Sequence, residues 1–259
     1  MEWLIAEDID GIRWLTLDRP ERKNAVPMDG WPDLTGAFRD FEGSDSRVLV
    51  VTGSASDFCA GADLDPSRID TIQTVTDRHR RMKVVGEAAM TLHRLSKPTI
   101  AAVDGVAVGA GMNLALGCDV VVATSRARFS EIFVKRGLTL DFGGSWLLPR
   151  IVGIQRAKEL AMSGRIVDAE EALRIGLVTV VVEPDDLRQA ATEMAESFLA
   201  GAPKAQMFAK QALNASFEMS LTDALSWEGQ SQSILLGTED AAEGIVSFIE
   251  KRDPDWKGR

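Results

Sequence analysis

Cysteine and histidine are scarce in this chain of 259 residues, which contains two of each. The two cysteines, Cys59 and Cys118, are too few for a disulfide framework, and their small or apolar neighbours are typical of buried, unreactive thiols. The two histidines, His79 and His93, lie beside arginines and show no metal-ligand spacing with each other or with the cysteines. The sequence therefore predicts neither a metal site nor a Ser-His-Asp triad.

Positive charge is also in short supply, since 29 lysines and arginines stand against 39 aspartates and glutamates and the formal net charge is -10. Such a surface repels the phosphates of nucleic acids and of anionic membranes, so we expect no nucleic-acid partner and no membrane partner. No apolar run approaches the length of a membrane span. The first residues are acidic and lack the basic start and apolar run of a signal peptide, so we expect a cytoplasmic protein.

Apolar sequence is abundant, at 45% of the residues, and it is arranged in strand-like and helix-like segments that alternate. This alternation predicts an α/β fold with a parallel sheet and right-handed crossovers. A hairpin with its turn at Asp10-Gly11 is expected at the start of the chain. Strands are predicted at 3–5, 12–17, 48–52, 99–103, 119–123 and 178–182, and helices at 31–41, 69–95, 109–116 and, with breaks, 186–251.

The segment from Ser56 to Leu64 follows the predicted strand 48–52 and contains Ala60-Gly61-Ala62. Small residues let the backbone approach a ligand closely, and α/β sheets bind ligands in loops at the carboxyl ends of their parallel strands. The segment is therefore a candidate binding loop. The alternative is a plain tight connection between a strand and a helix.

The segment 104–114 follows the next strand and opens a helix at Gly109-Ala110-Gly111. The first amides of a helix lack internal partners and carry partial positive charge, so they are suited to stabilising an oxyanion. A dinucleotide-binding turn is a weak alternative, because Leu114 stands where that motif has its third glycine. Close packing of the helix on its strand is the other alternative.

In their order and spacing, these segments resemble the crotonase superfamily of enoyl-CoA hydratases and isomerases over nearly the whole chain. No single motif is diagnostic. The resemblance implies an α/β fold of repeated ββα turns over residues 1–195, a helical trimerisation subdomain over 196–259, and a homotrimer or a dimer of trimers. The stretches that carry it are 17–25, 60–63, 98–105, 109–111, 143–145 and 169–178.

The resemblance also implies roles for single residues. The amides of Ala60 and Ala110 would form an oxyanion hole for the thioester oxygen of an acyl-CoA substrate. Coenzyme A would enter as part of that substrate, with no separate cofactor, and residues 67–81 would line or cover the acyl pocket. Contacts with coenzyme A or the acyl group are implied for Arg22, Lys23, Ala25, Phe58, Ala62, Asp63, Leu64, Gly109, Phe133, Leu140 and, toward a neighbouring subunit, Lys251. Taken singly, the three cations among them would be solvated surface charges.

The residues expected to move a proton depart from the pattern of the family's hydratases, which use two glutamates to handle water. Gap-free counting places Asn113 and Phe133 at those two positions, and neither side chain can act as a base. Asn113 is left to orient the substrate or a water. Glu131 lies next but one to Phe133, and the gap-free spacing argues against its use. Simple water addition is therefore not the favoured reaction.

Asp141, shortly before Gly143-Gly144, resembles the aspartate of the family's isomerases, notably the ring-epoxide/oxepin isomerase of phenylacetate degradation. Those isomerases usually have proline where this chain has Leu140. The neighbours of Asp141 are the apolar residues Leu140 and Phe142, which would raise the pKa of its carboxyl group if that group is buried. One carboxylate suffices to take a proton from one carbon and return it two carbons away. The alternative for Asp141 is a helix N-cap.

We therefore predict an enoyl-CoA isomerase in which Asp141 shuttles the proton. Two alternatives stay open: a hydratase that uses Asp141 or Glu131 as an unusual base, and a non-catalytic acyl-CoA binder that keeps the pocket. The aryl-CoA dehalogenase branch, which uses an aspartate here as a nucleophile, does not fit. It needs a tryptophan where this chain has Phe133 and a histidine that neither His79 nor His93 supplies.

Overall fold

A computed structural model describes residues 3–64 and 74–259. The predicted hairpin is formed by β1 (Leu4–Ile9) and β2 (Ile12–Leu17), which pair antiparallel. The other strands are β3 (Val48–Gly53), β4 (Thr99–Val103), β5 (Val106–Val108), β6 (Val120–Thr124), β7 (Arg128–Ser130), β8 (Val167–Asp168) and β9 (Val180–Val182). Six of them form a large sheet in the order β1-β2-β3-β4-β6-β9, and from β2 onward every pair is parallel, as the alternation predicted.

A second sheet, in the order β5-β7-β8, was not predicted. Strand β5 directly follows β4, and β7 directly follows β6, so each repeat crosses from the large sheet to the small one before its next helix. In the repeat that begins with β3, the crossing is reduced to a single bridge between Cys59 and Ala107. This succession of ββα units confirms the predicted α/β architecture and brings the ends of three repeats to one place.

Helices predicted from apolar periodicity are present, and the sequence missed three between residues 144 and 174. They are α1 (Trp31–Glu42), α2 (Val75–His93), α3 (Ala110–Leu116), α4 (Gly144–Val152), α5 (Ile154–Ser163), α6 (Ala169–Arg174), α7 (Leu187–Leu199), α8 (Pro203–Ala215), α9 (Leu221–Leu235) and α10 (Glu239–Glu250). Short 3-10 segments lie at Pro20–Arg22, Ile132–Arg136 and Pro184–Asp186. The predicted start of α2 at residue 69, and residues 67–73 of the predicted acyl-pocket segment, lie outside the described residues.

Both faces of the large sheet are covered, which explains why its inner strands are continuous apolar runs rather than alternating ones. Every residue of β4 is buried. Helix α7 covers one face, where Ala191 and Ala195 pack against Trp14 and Val50. The other face packs against α1, α2 and α3 in the main core. This rigid double packing fixes the strand ends that carry the site.

Helices α8 to α10 form a region without strands, as predicted. The predicted boundary between residues 195 and 196 falls inside α7, which ends at Leu199. Large apolar side chains of this region are exposed: Leu213, Phe217, Leu221, Leu225, Ile234, Leu236, Ile245, Phe248 and Ile249. No helix in the described part of the chain is long and apolar enough to cross a membrane.

Candidate active site

Backbone hydrogen bonds join the loop after β3 to strand β5. The amide of Cys59 donates to the carbonyl of Val106 (2.8 Å), and the amide of Val108 donates to the carbonyl of Cys59 (3.1 Å). The side chain of Asp57 accepts from the amide of Val106 (2.9 Å), and Nδ2 of Asn24 donates to the carbonyl of Asp57 (2.6 Å). The loop is therefore held beside the turn in which β5 ends and α3 begins.

Two glycines allow the loop and the turn to touch. A Cβ atom on Gly111 would lie 2.2 Å from the carbonyl oxygen of Cys59. Gly61 has a φ of +87°, and a Cβ there would lie 2.9 Å from the carbonyl oxygen of Val108 and 3.4 Å from the amide nitrogen of Ala110. Only glycine fits the space at Gly111, and only glycine fits both the space and the backbone angle at Gly61, so the two candidate segments are in direct backbone contact.

The amide of Ala110 is positioned to receive an anion, whereas that of Ala60 is not. Ala110 is the first residue of α3, and its amide donates to no acceptor within residues 3–64 and 74–259. The amide of Ala60 donates to the carbonyl of Lys23 (2.9 Å). It has no hydrogen left for a ligand, so the prediction of Ala60 as an oxyanion donor is wrong.

The amide of Ala62 is the free one in this loop. Ala62 forms a parallel bridge with Val26, in which the amide of Val26 donates to the carbonyl of Gly61 and the amide of Asp63 donates to the carbonyl of Val26, both at 2.8 Å. In this ladder pattern the middle residue directs its own amide to the opposite side. Among described residues that amide has no acceptor, so Ala62 and Ala110 are the available pair.

Asn113, one turn into α3, contacts both residues that could supply a catalytic carboxyl group, Glu131 and Asp141. Its Nδ2 donates to the main-chain carbonyl of Asp141 (3.0 Å) and to Oε2 of Glu131 (3.4 Å). Glu131 directly follows β7, whose last residue Ser130 pairs with Val108 at the end of β5. This pairing places Glu131 beside the start of α3 and in contact with Asn113, a proximity that the gap-free spacing did not predict.

Three buried oxygens in this cluster have no hydrogen-bond partner among described residues: Oδ1 of Asn113, Oε1 of Glu131 and Oδ1 of Asp141. Burial raises the pKa of Glu131 to about 8, a rise that the hydrogen bond from Asn113 opposes and the nearby charge of Asp141 increases. Burial also raises the pKa of Asp141 to about 6. At pH 7, Glu131 is therefore mainly a neutral acid and Asp141 mainly a carboxylate.

The backbone around Asp141 turns sharply before α4. Phe142 and Gly143 have φ values of 46° and 84°, both left-handed. Gly143 occupies the N-cap position of α4, and no side chain caps the helix, so the alternative reading of Asp141 as an N-cap is wrong. A Cβ on Gly144 would lie 2.3 Å from Nδ2 of Asn113. The close start of α4 thus fixes Asp141 against α3.

The residues predicted to contact the acyl group differ in position and in burial. The ring of Phe133 lies over Gly109, with a ring carbon 3.6 Å from the place of a Cβ there. Leu140 is half-buried beside Asp141. Phe58, however, is fully enclosed in the core at 0% exposure, and this burial contradicts the implied contact of Phe58 with coenzyme A or the acyl group.

On the side predicted to receive coenzyme A, several charges are already paired. Nζ of Lys23 lies 3.3 Å from Oδ2 of Asp57, and Arg19 contacts the carboxylate of Asp63 at 3.0 Å. Arg22 is exposed on its 3-10 segment, and Lys251 is exposed at the end of α10. The remaining predicted residues are Ala25, which is buried, and Leu64, which is exposed.

The two cysteines are free and buried. Burial raises the pKa of Cys59 and of Cys118 to about 12 each, so both are protonated thiols at neutral pH, and the prediction that they are buried is confirmed. In the part of the chain that the structure covers, no group of three or more His, Cys, Asp or Glu side chains is arranged to hold a metal ion.

Comparison with known proteins identifies the family. Residues 7–259 match the family model described as enoyl-CoA hydratase/isomerase. The chain belongs to the enoyl-CoA hydratase/isomerase family and has the crotonase fold, as the order of its motifs predicted.

Some relatives are named as hydratases and others as isomerases. The chain is 37% identical to the short-chain-enoyl-CoA hydratase of Clostridium acetobutylicum, over 96% of this chain and 95% of the relative. It is 35% identical to the 1,2-epoxyphenylacetyl-CoA isomerase of Escherichia coli, over the full length of both. Among solved structures, an enoyl-CoA hydratase/isomerase of Cupriavidus metallidurans matches with a TM-score of 0.91 and 38% identity, over 100% of this chain and 97% of that one.

Proposed function

We propose that the protein is an enoyl-CoA isomerase in which Asp141 moves a proton between two carbons of an acyl-CoA thioester. The observation that carries the proposal is the half-buried carboxylate of Asp141, with an unpartnered oxygen, fixed against the helix that begins at Ala110. Its pKa of about 6 leaves it ionised at neutral pH and still able to hold a proton. Asn113 and Phe133, at the positions of the usual glutamates, supply no base.

In the proposed reaction, Asp141 removes a proton from the α-carbon of a 3-enoyl thioester. The electron pair moves toward the thioester oxygen, and the amides of Ala62 and Ala110 stabilise the negative charge there. Asp141 then delivers the proton to the γ-carbon, which leaves a 2-enoyl thioester. The atoms balance without a further reactant, so coenzyme A is needed only as part of the substrate.

The test uses 3-enoyl-CoA thioesters of several chain lengths in heavy water, with products analysed by mass spectrometry. Migration of the double bond with deuterium uptake and no added water is the expected result. Asp141→Asn should lower kcat by roughly 100- to 10,000-fold, the usual contribution of a general acid–base, with thioester affinity nearly unchanged. Turnover retained by this variant contradicts the assignment of Asp141. Tight binding without turnover by the wild type supports the non-catalytic alternative.

We also propose that the protein works as a homo-oligomer. The exposed apolar side chains of α8 to α10, among them Phe217 and Phe248, form a large apolar surface that a monomer rarely leaves in water. Sedimentation of the purified protein should give a multiple of the 28.1 kDa chain mass. A monomer at micromolar concentration contradicts the proposal.

A further inference from the structure

The two candidate oxyanion amides are held in place by different means. Ala110 is the first residue of α3, so the helix itself directs its amide. Ala62 lies in a loop, and its ladder contact is the isolated bridge with Val26. An amide that stabilises developing charge must be fixed before the reaction starts. The direction of the Ala62 amide therefore depends on what holds this bridge.

The segment 19–26, on the other side of the bridge, has a tightly fixed backbone. Lys23 and Asn24 have φ values of 51° and 55°, both in the left-handed region that residues other than glycine seldom occupy. Asn24 is buried, and its Nδ2 donates to the carbonyls of Ser54 (2.9 Å) and Asp57 (2.6 Å). Such backbone conformations persist only where the surroundings impose them, and they are concentrated at functional sites.

The guanidinium of Arg19 contacts both sides of the bridge. Its Nη2 donates to Oδ2 of Asp63 at 3.0 Å, and its Nη1 donates to the carbonyl of Ala25 at 2.8 Å. Asp63 directly follows Ala62, and Ala25 directly precedes Val26. The rigid, planar fork of a guanidinium suits two acceptors at once. The side chains of Arg19 and Asp63 are 21% and 15% exposed, so water and salt screen this ion pair less than an exposed one.

We propose that Arg19 is a positioning residue that holds the amide of Ala62 toward the thioester oxygen without touching the substrate itself. Its positive charge also offsets the carboxylate of Asp63, which would otherwise repel negative charge that forms beside Ala62. The family resemblance implies a substrate contact for Asp63, whereas its carboxylate is here paired with Arg19. The inference rests on the oxyanion amides of the proposed function, and it is independent of Asp141 and of the path of the proton.

Arg19→Met removes both donors and keeps a long side chain. The amide of Ala62 then loses its fixed direction, so we expect kcat for isomerisation to fall by roughly 10- to 100-fold, less than the loss of a whole oxyanion donor. The dissociation constant of a saturated acyl-CoA should stay within about threefold of the wild type, because that ligand develops no charge. Arg19→Lys, which keeps the charge without the fork, should recover part of the rate. Adding Asp63→Ala to Arg19→Met should lower kcat no further, since both changes remove the same contact.

Arg13→Met is the matched control. Arg13 also pairs with an aspartate, since its Nε donates to Oδ1 of Asp8 at 2.7 Å, and its side chain is 14% exposed. It lies at the start of β2, whereas Arg19 follows the end of that strand. We expect Arg13→Met to lower thermal stability about as much as Arg19→Met and to leave kcat unchanged. An equal fall in kcat for both variants would be a general effect of a lost ion pair and would overturn the proposal.

The decisive experiment reads the oxyanion amides without requiring turnover. A 3-ketoacyl-CoA loses its α-proton readily, and its enolate absorbs ultraviolet light. A pH titration of the bound thioester therefore measures how strongly the amides stabilise the enolate. We expect the midpoint for folded Arg19→Met to lie about 1 pH unit or more above that of the wild type, which corresponds to a tenfold loss. Arg19→Lys should lie between them, and Arg13→Met should match the wild type.

A midpoint for Arg19→Met within about 0.3 pH unit of the wild type overturns the proposal. If Arg19→Met does not fold, Arg19→Lys is judged by the same limit. Isomerisation of a 3-enoyl-CoA, measured on the same samples, separates this inference from the proposed function. A raised midpoint together with no isomerisation by the wild type removes the isomerase and leaves the role of Arg19. An unchanged midpoint together with isomerisation by the wild type removes the role of Arg19 and leaves the isomerase.

Discussion

The two halves of the candidate site differ in how their polar groups are paired. In the amide half, around Gly61 and Gly111, backbone hydrogen bonds join the loop after β3 to strand β5, and the contacts are so close that a Cβ does not fit, while the amides of Ala62 and Ala110 have no acceptor among described residues. In the carboxyl half, around Asn113, three enclosed oxygens have no partner among described residues.

This difference separates what is fixed from what reacts. In the proposed reaction, the amide half binds the charge that develops on the thioester oxygen, so its donors must be in place beforehand, and the backbone hydrogen bonds around them provide that rigidity. In the same proposal the carboxyl half changes its protonation state, which the unpartnered oxygens of its side chains permit. The amide half therefore depends on its fixed backbone geometry, and the carboxyl half depends on the gain and loss of protons.

Gly111→Ala should break the amide half. The added Cβ would lie 2.2 Å from the carbonyl oxygen of Cys59, so the loop and the start of α3 must separate. We expect kcat/KM to fall by about 100-fold or more, the effect of losing one oxyanion donor, and stability to fall by about 1–3 kcal/mol. Turnover assays and thermal unfolding measure the two effects.

The control for this variant is Gly86→Ala on the exposed face of α2, where a Cβ meets no atom of another described residue within 4 Å. It should leave activity unchanged and stabilise the protein by about 0.5–1 kcal/mol, because alanine favours a helix. Equal activity of Gly111→Ala and Gly86→Ala would show that the close contact is not needed for the amide half.

Asn113→Leu should disturb the carboxyl half without touching the backbone contacts. It removes the donor to the carbonyl of Asp141 and to Glu131, at a cost of about 1–3 kcal/mol in stability for the buried acceptors left behind. Since the hydrogen bond from Asn113 lowers the pKa of Glu131, that pKa should rise further. Infrared titration of the protonated carboxyl band measures it, and an unchanged titration would mean that the bond is not formed in solution.

Glu131→Gln sharpens the comparison through the pH dependence of stability. The pKa of Glu131 is raised in the folded protein from 4.5 to about 8. Its stabilising contribution is therefore complete below pH 4.5 and is lost as the pH rises through about 8. Glutamine does not titrate, so Glu131→Gln should gain stability relative to the wild type between pH 5 and pH 9, by a few degrees in Tm.

The control is Glu193→Gln, which is exposed and should give a difference in Tm that does not change with pH. A flat difference for Glu131→Gln as well would place the carboxyl of Glu131 in contact with solvent. Burial would then not raise the pKa of Glu131, and the main evidence that the carboxyl half differs from the amide half would be lost.

Much of the fold could be predicted because its signals are local. The apolar run that forms β4 and the apolar periodicity of α1 each lie within a dozen residues, and the order of the motifs identified the family. Strands β5, β7 and β8 were missed, because two or three residues are too short for a period to be visible; β9, of similar length, was predicted only because it lies in the longer run 178–182. They exist only because the repeat brings them side by side.

The site was predictable in outline and not in its details. Both Gly-containing segments and Asp141 were found from the sequence, since their chemistry is carried by residue type. The choice between Ala60 and Ala62 depends on pairing with Lys23 and Val26, which are distant in the sequence. Glu131 was set aside by counting along the chain, although the pairing of β5 with β7 places it beside Asn113.

The smallest expected effect concerns charge at the entrance to the amide half, where Lys23 and Arg22 differ in their surroundings. Lys23 is paired with Asp57 at 3.3 Å, whereas Arg22 has no ion pair with any residue in 3–64 or 74–259. A paired, 59% exposed cation adds little attraction for a phosphate, so Lys23→Ala should raise KM for an acyl-CoA by about two- to threefold. Arg22→Ala should raise it more, and both effects should shrink at high salt while kcat stays constant. A change in kcat for either variant would mean that these cations influence the carboxyl half as well. Binding by fixed groups and reaction by titrating groups would then not be separate functions of the two halves.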